Sequence, residues 1–260
     1  FVFQQYSLYP HLSVGENLAF PLRSPTRKVS EPEINKRVGE VAEILRISHK
    51  LDNKATNLSG GEMQRVAIGR ALVRNPRIYF MDEPLSSLDA KLRSELRIEL
   101  KRIQQELGAT IVYVTHDQVE AMTLADRIGV MREGELLQVG SPRDIYNAPC
   151  NDYVASRLGT PAINLIPADL FKSRALPQST HVVGVRTEHL RLTEQSDRTH
   201  SAKVHWIEHL GDQSHLHISL QGIKLTMLAG PHVHLAPDDH VHLELMNPLY
   251  FDRNGNTIAV

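Results

Sequence analysis

Ile78-Tyr79-Phe80-Met81-Asp82-Glu83-Pro84 is an apolar run that stops abruptly at two carboxylates. The unbroken hydrophobicity from Arg77 to Asp82 predicts a strand buried on both faces, as in a parallel sheet. Asp89 then opens a helix with Leu92, Leu96, Leu100, Ile103 and Leu107 on one stripe. Thr110 to Thr115, with Ile-Val-Tyr-Val at its centre, predicts a second strand rich in β-branched residues. Strand, helix, strand implies a right-handed parallel crossover, so this part of the chain is read as α/β. In such sheets chemistry collects at the carboxyl ends of the strands. Asp82, Glu83 and His116 all fall there.

Upstream, Ser59-Gly60-Gly61-Glu62 has the spacing of a capping box, and the helix it opens would carry Met63, Val66, Ala67 and Ala71. A capped helix accounts for Ser59 and Glu62. It does not account for two glycines in the first turn, each poorer than alanine by about 1 kcal/mol. Glycine there lets a phosphate approach bare backbone N–H groups at the positive end of the helix. Ser30-Glu31-Pro32-Glu33 is another capping box, ahead of a face made by Ile34, Val38, Val41 and Leu45. Beyond residue 160 the texture changes to short alternating strands with turn signals, an all-β pattern. The join lies between Arg157 and Pro161, where Leu158-Gly159-Thr160-Pro161 breaks the periodicity.

Bulk properties narrow the function. The 260 residues carry 29 Lys plus Arg against 30 Asp plus Glu, a formal net charge of -1. That balance argues against a protein that wraps nucleic acid, where a basic excess supplies affinity. Cys150 is alone, which excludes an intrachain disulfide framework. No apolar run approaches the roughly 18–20 residues that span a bilayer, and no signal peptide is expected. The sequence opens with Phe1-Val2-Phe3-Gln4 rather than Met, directly in strand-like residues, and is therefore expected to lack an N-terminal stretch.

Two groups of residues invite chemistry. Asp82 and Glu83, ending an apolar strand, fit a Walker B pair in which Asp82 helps hold Mg²⁺ and Glu83 polarises a water; a solvated acidic loop is the alternative. The pairs His215/His217, His232/His234 and His240/His242 each project to one face of a strand. They could seat Zn²⁺ or Ni²⁺. They could equally form the solvated side of a sheet whose other face holds Leu216, Ile218, Leu220, Val241, Leu243 and Leu245.

In chain order, Gln4 after an apolar strand, Leu58-Ser59-Gly60-Gly61-Glu62 with Gln64-Arg65, Asp82-Glu83, Ser87-Leu88-Asp89 and Thr115-His116-Asp117 resemble five motifs of ABC ATPases. These are the Q-loop, signature, Walker B, D-loop and H-loop. The resemblance runs from residue 1 to about 155. Tyr6-Ser7-Leu8-Tyr9-Pro10-His11-Leu12-Ser13-Val14, Ala90-Lys91-Leu92-Arg93 and Asp117-Gln118-Val119-Glu120-Ala121-Met122-Thr123 are similar to the importer group exemplified by the maltose transporter ATPase. That group carries a C-terminal OB-like regulatory domain, TOBE. Gly159-Thr160-Pro161-Ala162-Ile163-Asn164-Leu165, Val185-Arg186-Thr187-Glu188-His189-Leu190 and strands around Val241 to Leu245 fit it. Thr187 stands where proline is common, and Glu62 replaces a frequent glutamine.

The resemblance implies a partial P-loop NTPase domain, mostly parallel sheet with a helical subdomain, over 1–157, and an all-β OB-like domain over 158–260. It implies an ATP-hydrolysing subunit that energises import of a carbohydrate or glycerol-phosphate. Glu83, His116 and Gln4 would be catalytic, Ser59, Gly60, Gly61, Glu62 and Asp89 would meet ATP, and Asp82 with Gln4 would hold Mg²⁺. Two subunits would pair head to tail, and membrane permease subunits would dock at Tyr6–Leu12, with a substrate-binding protein acting through them and no nucleic acid involved. The chain would sit at the cytoplasmic face of a bacterial plasma membrane. Gly-x-x-x-x-Gly-Lys-Ser/Thr occurs nowhere in the sequence, so the nest of N–H groups and the lysine for the phosphates are lacking. ATP turnover by these 260 residues is expected to be impaired, and the alternative reading is a catalytically inactive regulatory module. A soluble ABC protein of DNA repair or translation would carry coiled-coil insertions or tandem cassettes, and this sequence has neither.

Overall fold

A parallel strand pair organises the first of two units, Phe1–Ala125, in a computed structural model that describes residues 1–171, 176–194 and 200–259. In chain order this unit holds α1 (Val14–Ala19), α2 (Glu31–Ile44), α3 (Gly60–Leu72), β1 (Ile78–Asp82), α4 (Ala90–Leu107), β2 (Thr110–Val114) and α5 (Gln118–Leu124). β1 and β2 pair in parallel from Ile78↔Thr110 to Asp82↔Val114, with α4 as the connecting helix. Val2 also runs parallel to β1: its N–H donates to Phe80 O at 2.8 Å, and Asp82 N–H donates to Val2 O at 3.0 Å. The residues after Val2 are thereby delivered to the carboxyl end of β1.

The helices begin where their caps dictate. Asp89 Oδ1 accepts from Leu92 N–H at 3.0 Å to open α4, and Gly108, at φ 56°, closes it in the left-handed conformation that glycine adopts without strain. Leu96, Leu100 and Ile103 are buried along its stripe, each contributing about 1.5–3 kcal/mol. α3 forms its capping box as expected. The box expected at Ser30 does not form, because Glu33 pairs with Arg37 at 2.5 Å and the Ser30 side chain makes no cap bond. Proline in the first turn starts α2 instead. Its face is still buried at Ile34, Val38 and Val41, with Leu45 beyond. Ser13-Val14-Gly15-Glu16 carries the same capping signal and opens α1.

The expectation that β1 is buried on both faces fails. Tyr79 and Met81 join a core with Leu18, Ile34, Leu45, Ile68, Leu85 and Leu96, but the helices supplying that core cover only one side of the strands. On the other side Phe1, Phe3, Ile78, Phe80, Val112 and Val114 are each between 46% and 59% exposed. Phe1 stacks against Phe3 at 4.6 Å and Phe80 at 6.4 Å. A contiguous apolar face of this kind associates with other apolar surface. The 260-residue chain alone is expected to bind the dye ANS and to self-associate, and Phe80→Lys with Val112→Lys should reduce both several-fold without changing far-UV circular dichroism. Unchanged dye binding in that double variant would place the exposed surface elsewhere.

The second unit, Asp126–Val260, contains a hairpin of β3 (Ile128–Arg132) and β4 (Glu135–Gly140), then α6 (Pro142–Asn147) and α7 (Asp152–Arg157). There follow β5 (Asn164–Pro167), β6 (Val182–Val185), β7 (Leu190–Thr193), β8 (His200–His209), β9 (Ser214–Leu220), β10 (Ile223–Ala229), β11 (His240–Leu245) and β12 (Leu249–Phe251). These build an antiparallel sheet of order β10-β9-β8-β11-β7 and a smaller one of order β12-β6-β5. The all-β reading of this region therefore holds. Val183, Val185, Leu190, Val204, Ile218 and Leu243 are among the side chains of its core. Asn164 links the two sheets by donating to Val185 O at 3.2 Å and Thr226 O at 2.9 Å. Residues 126–157 are tied to the strands by Arg186, which donates to the carbonyls of Tyr146, Ala155 and, just beyond, Leu158, and by backbone bonds from Asp152 N–H to Gly255 O at 2.9 Å and from Thr257 N–H to Cys150 O at 3.0 Å.

The histidines depart from a simple solvated face. His215 is only 8% exposed, and the His217 ring stacks on Trp206 at 4.0 Å. Glu208 lies 3.4 Å from His215 Nδ1 and 3.5 Å from His217 Nε2. Large neighbours on that side of β9, not its apolar face, bury them. Among the described residues no group of three or more His, Cys, Asp or Glu could hold a metal ion.

Candidate nucleotide site

The strand tips bring three of the expected residues into direct contact. Gln4, delivered by Val2, donates from Nε2 to Glu83 Oε2 at 3.2 Å. His116, just beyond β2, places Nδ1 3.1 Å from Glu83 Oε1. Both oxygens of the Glu83 carboxylate are thus engaged, one by an amide and one by an imidazole. Glu83 itself has φ 43°, an uncommon conformation for a residue with a side chain and one that concentrates at functional sites. Backbone bonds hold it there: Glu83 N–H donates to Val114 O at 2.9 Å, and its own carbonyl accepts from Ser86 Oγ at 2.9 Å. Asp82 is exposed beside it, and no donor among the described residues engages its carboxylate.

Supporting residues that the sequence did not single out fix this group. Arg93, on the first turn of α4, donates to the carbonyls of Leu85, Ser86 and Leu88 and reaches Asp117 Oδ2 at 3.4 Å. One guanidinium therefore braces the loop after Glu83 and the loop bearing His116. Glu120 is buried at 2% exposure and accepts from Tyr113 OH at 2.9 Å and Thr115 Oγ1 at 2.8 Å. Burial, first, and the Glu120 carboxylate hold the Tyr113 phenol protonated far above its ordinary range. Asp117 Oδ1 caps α5 through Val119 and Glu120 N–H. His116 is exposed between two anchored neighbours. Glu120 and Arg93 both lie in stretches that resemble the importer group, but nothing local to either marks the bracing role.

The start of α3 is arranged differently from expectation. Glu62 Oε2 accepts from Ser59 N–H at 2.8 Å and Ser59 Oγ at 3.0 Å, while Ser59 Oγ accepts from Glu62 N–H. Ser59 and Glu62 thus satisfy each other. The Ser59 backbone bond, chiefly, holds the Glu62 carboxyl below the usual carboxylate range, and Lys50 sits 3.1 Å away to balance its charge. Helix geometry leaves the N–H groups of Gly60 and Gly61 without intrahelical acceptors. Gly61 is also packed closely: a Cβ there would stand 2.7 Å from a Leu92 methyl, so Leu92 would have to shift. Gly60 meets only ordinary contacts, with Leu88 and the Tyr6 hydroxyl at 3.5 Å. Asp89 is used as the α4 cap. Ser59 to Glu62 make no hydrogen bond or ion pair with Gln4, Glu83 or His116 among the described residues.

Comparison with known proteins gives the family. Residues 1–86 match the ABC transporter family model, and residues 183–247 match that of the TOBE domain. The chain is 47% identical over 235 residues to an sn-glycerol-3-phosphate import ATP-binding protein of Rhizobium johnstonii, covering 87% of this chain and 67% of that one. It is 44% identical to a trehalose/maltose import ATP-binding protein of Thermococcus litoralis, over 85% of this chain and 67% of the relative. A sulfoquinovosyl glycerol transport ATP-binding protein of Agrobacterium fabrum is 42% identical, over 93% of this chain and 73% of its own. The chain belongs to the ABC transporter ATP-binding subunits. It spans between 67% and 73% of the length of these three relatives. Among solved structures, Clostridium perfringens cbiO1, part of the ABC transporter complex cbiONQ, superposes with TM-score 0.52 at 34% identity, over 56% of this chain and 58% of that one.

Members of the ABC family use ATP and Mg²⁺, and the residues of this ABC subunit fit both groups in part. The exposed Asp82 carboxylate and the Gln4 amide oxygen are both hard-oxygen donors. Mg²⁺ takes one or two carboxylates from protein and the rest from phosphate and water. Gly60 and Gly61 supply N–H groups at a helix N-terminus, suited to an anion. No helix of the described residues is long and apolar enough to cross a membrane.

Proposed function

We propose that this chain is the ATP-hydrolysing subunit of an importer for a carbohydrate or glycerol-phosphate. The observation that carries the reading is Glu83 at a strand tip, bracketed by Gln4 and His116. In this reading Asp82 and Gln4 hold Mg²⁺, which supplies neutralisation of the charge developing on the phosphoryl oxygens. Glu83 orients the attacking water. With both of its oxygens engaged, the carboxylate is idle; rotation of the Gln4 amide away frees Oε2 to accept from water, while His116 retains Oε1 and fixes the carboxylate's direction. Gln4 is thus a gate on the base as well as a ligand. Gly60 and Gly61 present N–H groups to the terminal phosphate held by a second copy, with Ser59 and Glu62 shaping the turn and Asp89 fixing the neighbouring loop. Helix-end attraction of that kind holds two subunits together only while the phosphate is present.

We place the limit between the ATPase and OB-like domains at 157/158. The loop Tyr6–Leu12 docks permease subunits at the cytoplasmic face of the membrane, and a substrate-binding protein acts through them. The decisive experiment joins a segment carrying a phosphate-binding loop in frame ahead of Phe1, from the gene itself where it encodes one and otherwise from a relative, and measures ATP hydrolysis and uptake of labelled glycerol-phosphate or maltose with a permease. ATP-dependent uptake is expected. Mg·ATP binding without hydrolysis would favour the inactive regulatory module instead, and micromolar Mg·ATP affinity in the 260 residues alone would refute the need for that loop.

A further inference from the structure

Arg70 lies in the last turn of α3, the helix that opens with Gly60 and Gly61. Its Nη1 donates to the Ser7 carbonyl, and its guanidinium lies over the Tyr9 ring, 4.5 Å from the centroid. Ser7 sits at φ 50°, so the carbonyl that Arg70 grips belongs to a backbone held in an uncommon conformation. At the other end of α3 the Tyr6 hydroxyl accepts from Ser87 Oγ at 3.0 Å and touches the space beside Gly60. The loop after Gln4 is therefore fastened to α3 through Arg70 and to the loop ahead of α4 through Ser87, with the Tyr6 hydroxyl passing beside Gly60. Asn17, fully buried, braces the far side of the same loop through the N–H and carbonyl of Tyr9. Gly69 lets α1 approach α3, since a Cβ there would stand 2.6 Å from Leu18.

We propose that Arg70 is a positioning residue that makes the exposed loop and α3 move as one body, so that force on the loop displaces Gly60 and Gly61. The inference rests on the functional reading above, in which the loop docks permease and the glycines face a phosphate. Arg70 touches neither nucleotide nor water. Its planar fork bonds one carbonyl while stacking on an aromatic ring, a pair of contacts that lysine cannot make together.

The test uses the full-length protein, with and without its permease. Arg70→Met is expected to lower permease-stimulated ATP turnover and uptake by about ten-fold, within the range of coupling between distant sites. The KM for ATP and the turnover of the free ATPase should stay within about two-fold, the split expected when a contact is not made to the substrate. Arg70→Lys, which folds with the charge retained over Tyr9, should fall between. Equal proportional losses with and without permease would reduce Arg70 to a stability role and overturn the inference, as would full stimulation in either variant. A wild-type protein without ATP turnover would instead overturn the functional reading, and this inference with it.

Discussion

Glu83→Gln in the full-length protein is expected to lower ATP turnover by about 10²–10⁴-fold, the usual range for loss of a general base. The substitution is isosteric. It keeps the backbone bonds to Val114 and Ser86 that hold the residue at φ 43°, so the strained turn should survive. An amide oxygen can still accept from Gln4 or His116, but it cannot take a proton from water at neutral pH. Mg·ATP binding should therefore persist, and the ATP-bound dimer should accumulate on size-exclusion chromatography because the release step is blocked. Turnover within a few-fold of wild type would remove Glu83 from the reaction. In that case the Gln4–Glu83–His116 contact would be structural only.

His116 is the companion measurement. It is largely exposed, held by its neighbours rather than by its own side chain, and it engages only one oxygen of Glu83. Its loss should be felt as a failure to aim the carboxylate rather than as loss of the base, so His116→Ala should be less damaging than Glu83→Gln. Substituting both should cost little more than Glu83→Gln alone, because residues acting as one unit are not additive.

Legibility in the sequence followed the range of the interactions. Most local signals read true: the Ser59–Glu62 capping box, the Asp89 cap, the middle of the α4 stripe (Leu107 at its end is exposed) and the alternating apolar residues of β9 all involve residues within a few positions of one another. The strand tip at Asp82-Glu83 was equally clear, because an apolar run ending in paired carboxylates needs compensation wherever it sits. One local signal misled: Glu33 looked poised to cap α2, yet Arg37, four positions on, claims it. Long-range contacts were not legible. Gly61 suggested phosphate access alone, yet the Leu92 side chain, thirty-one positions downstream, also packs where a Cβ would stand. The open side of β1 could not be seen, since hydrophobicity reports what a strand could bury and not what covers it. Arg70 carried no pattern, and Arg93 and Arg186 stood only inside stretches resembling the family, because what an arginine braces is invisible until the chain folds a loop onto it.

Arg186 is the strongest case of that kind, and its removal should have the largest effect on stability. It is 4% exposed, donates to Tyr146 O at 2.8 Å and Ala155 O at 2.9 Å as well as to Leu158 O, and lies 3.9 Å from the centroid of the Tyr146 ring. Tyr146 in turn donates to Glu188 at 2.5 Å, and burial with that bond pushes its phenol up to about 12. Burial lowers the guanidinium's pKa, with Tyr146 and Glu188 opposing, but arginine remains charged. Arg186→Met fills similar volume and leaves the three carbonyls without their donor, at about 1–3 kcal/mol for each that water cannot reach. Relief from burying the charge offsets part of this. The net expectation is a loss of about 3 kcal/mol and a fall in melting temperature of roughly 10 °C for a unit of this size. Arg186→Lys should recover little, because one ammonium cannot span carbonyls on α6, on α7 and beyond its end while stacking on a ring. Gly159 sharpens the argument: at φ 112° with a would-be Cβ 3.1 Å from Arg186 Nη1, it is shaped around the guanidinium. Melting within 2–3 °C of wild type in Arg186→Met, an effect of about 1 kcal/mol or less, would mean that water satisfies these carbonyls and that 126–157 is held to the strands by other contacts.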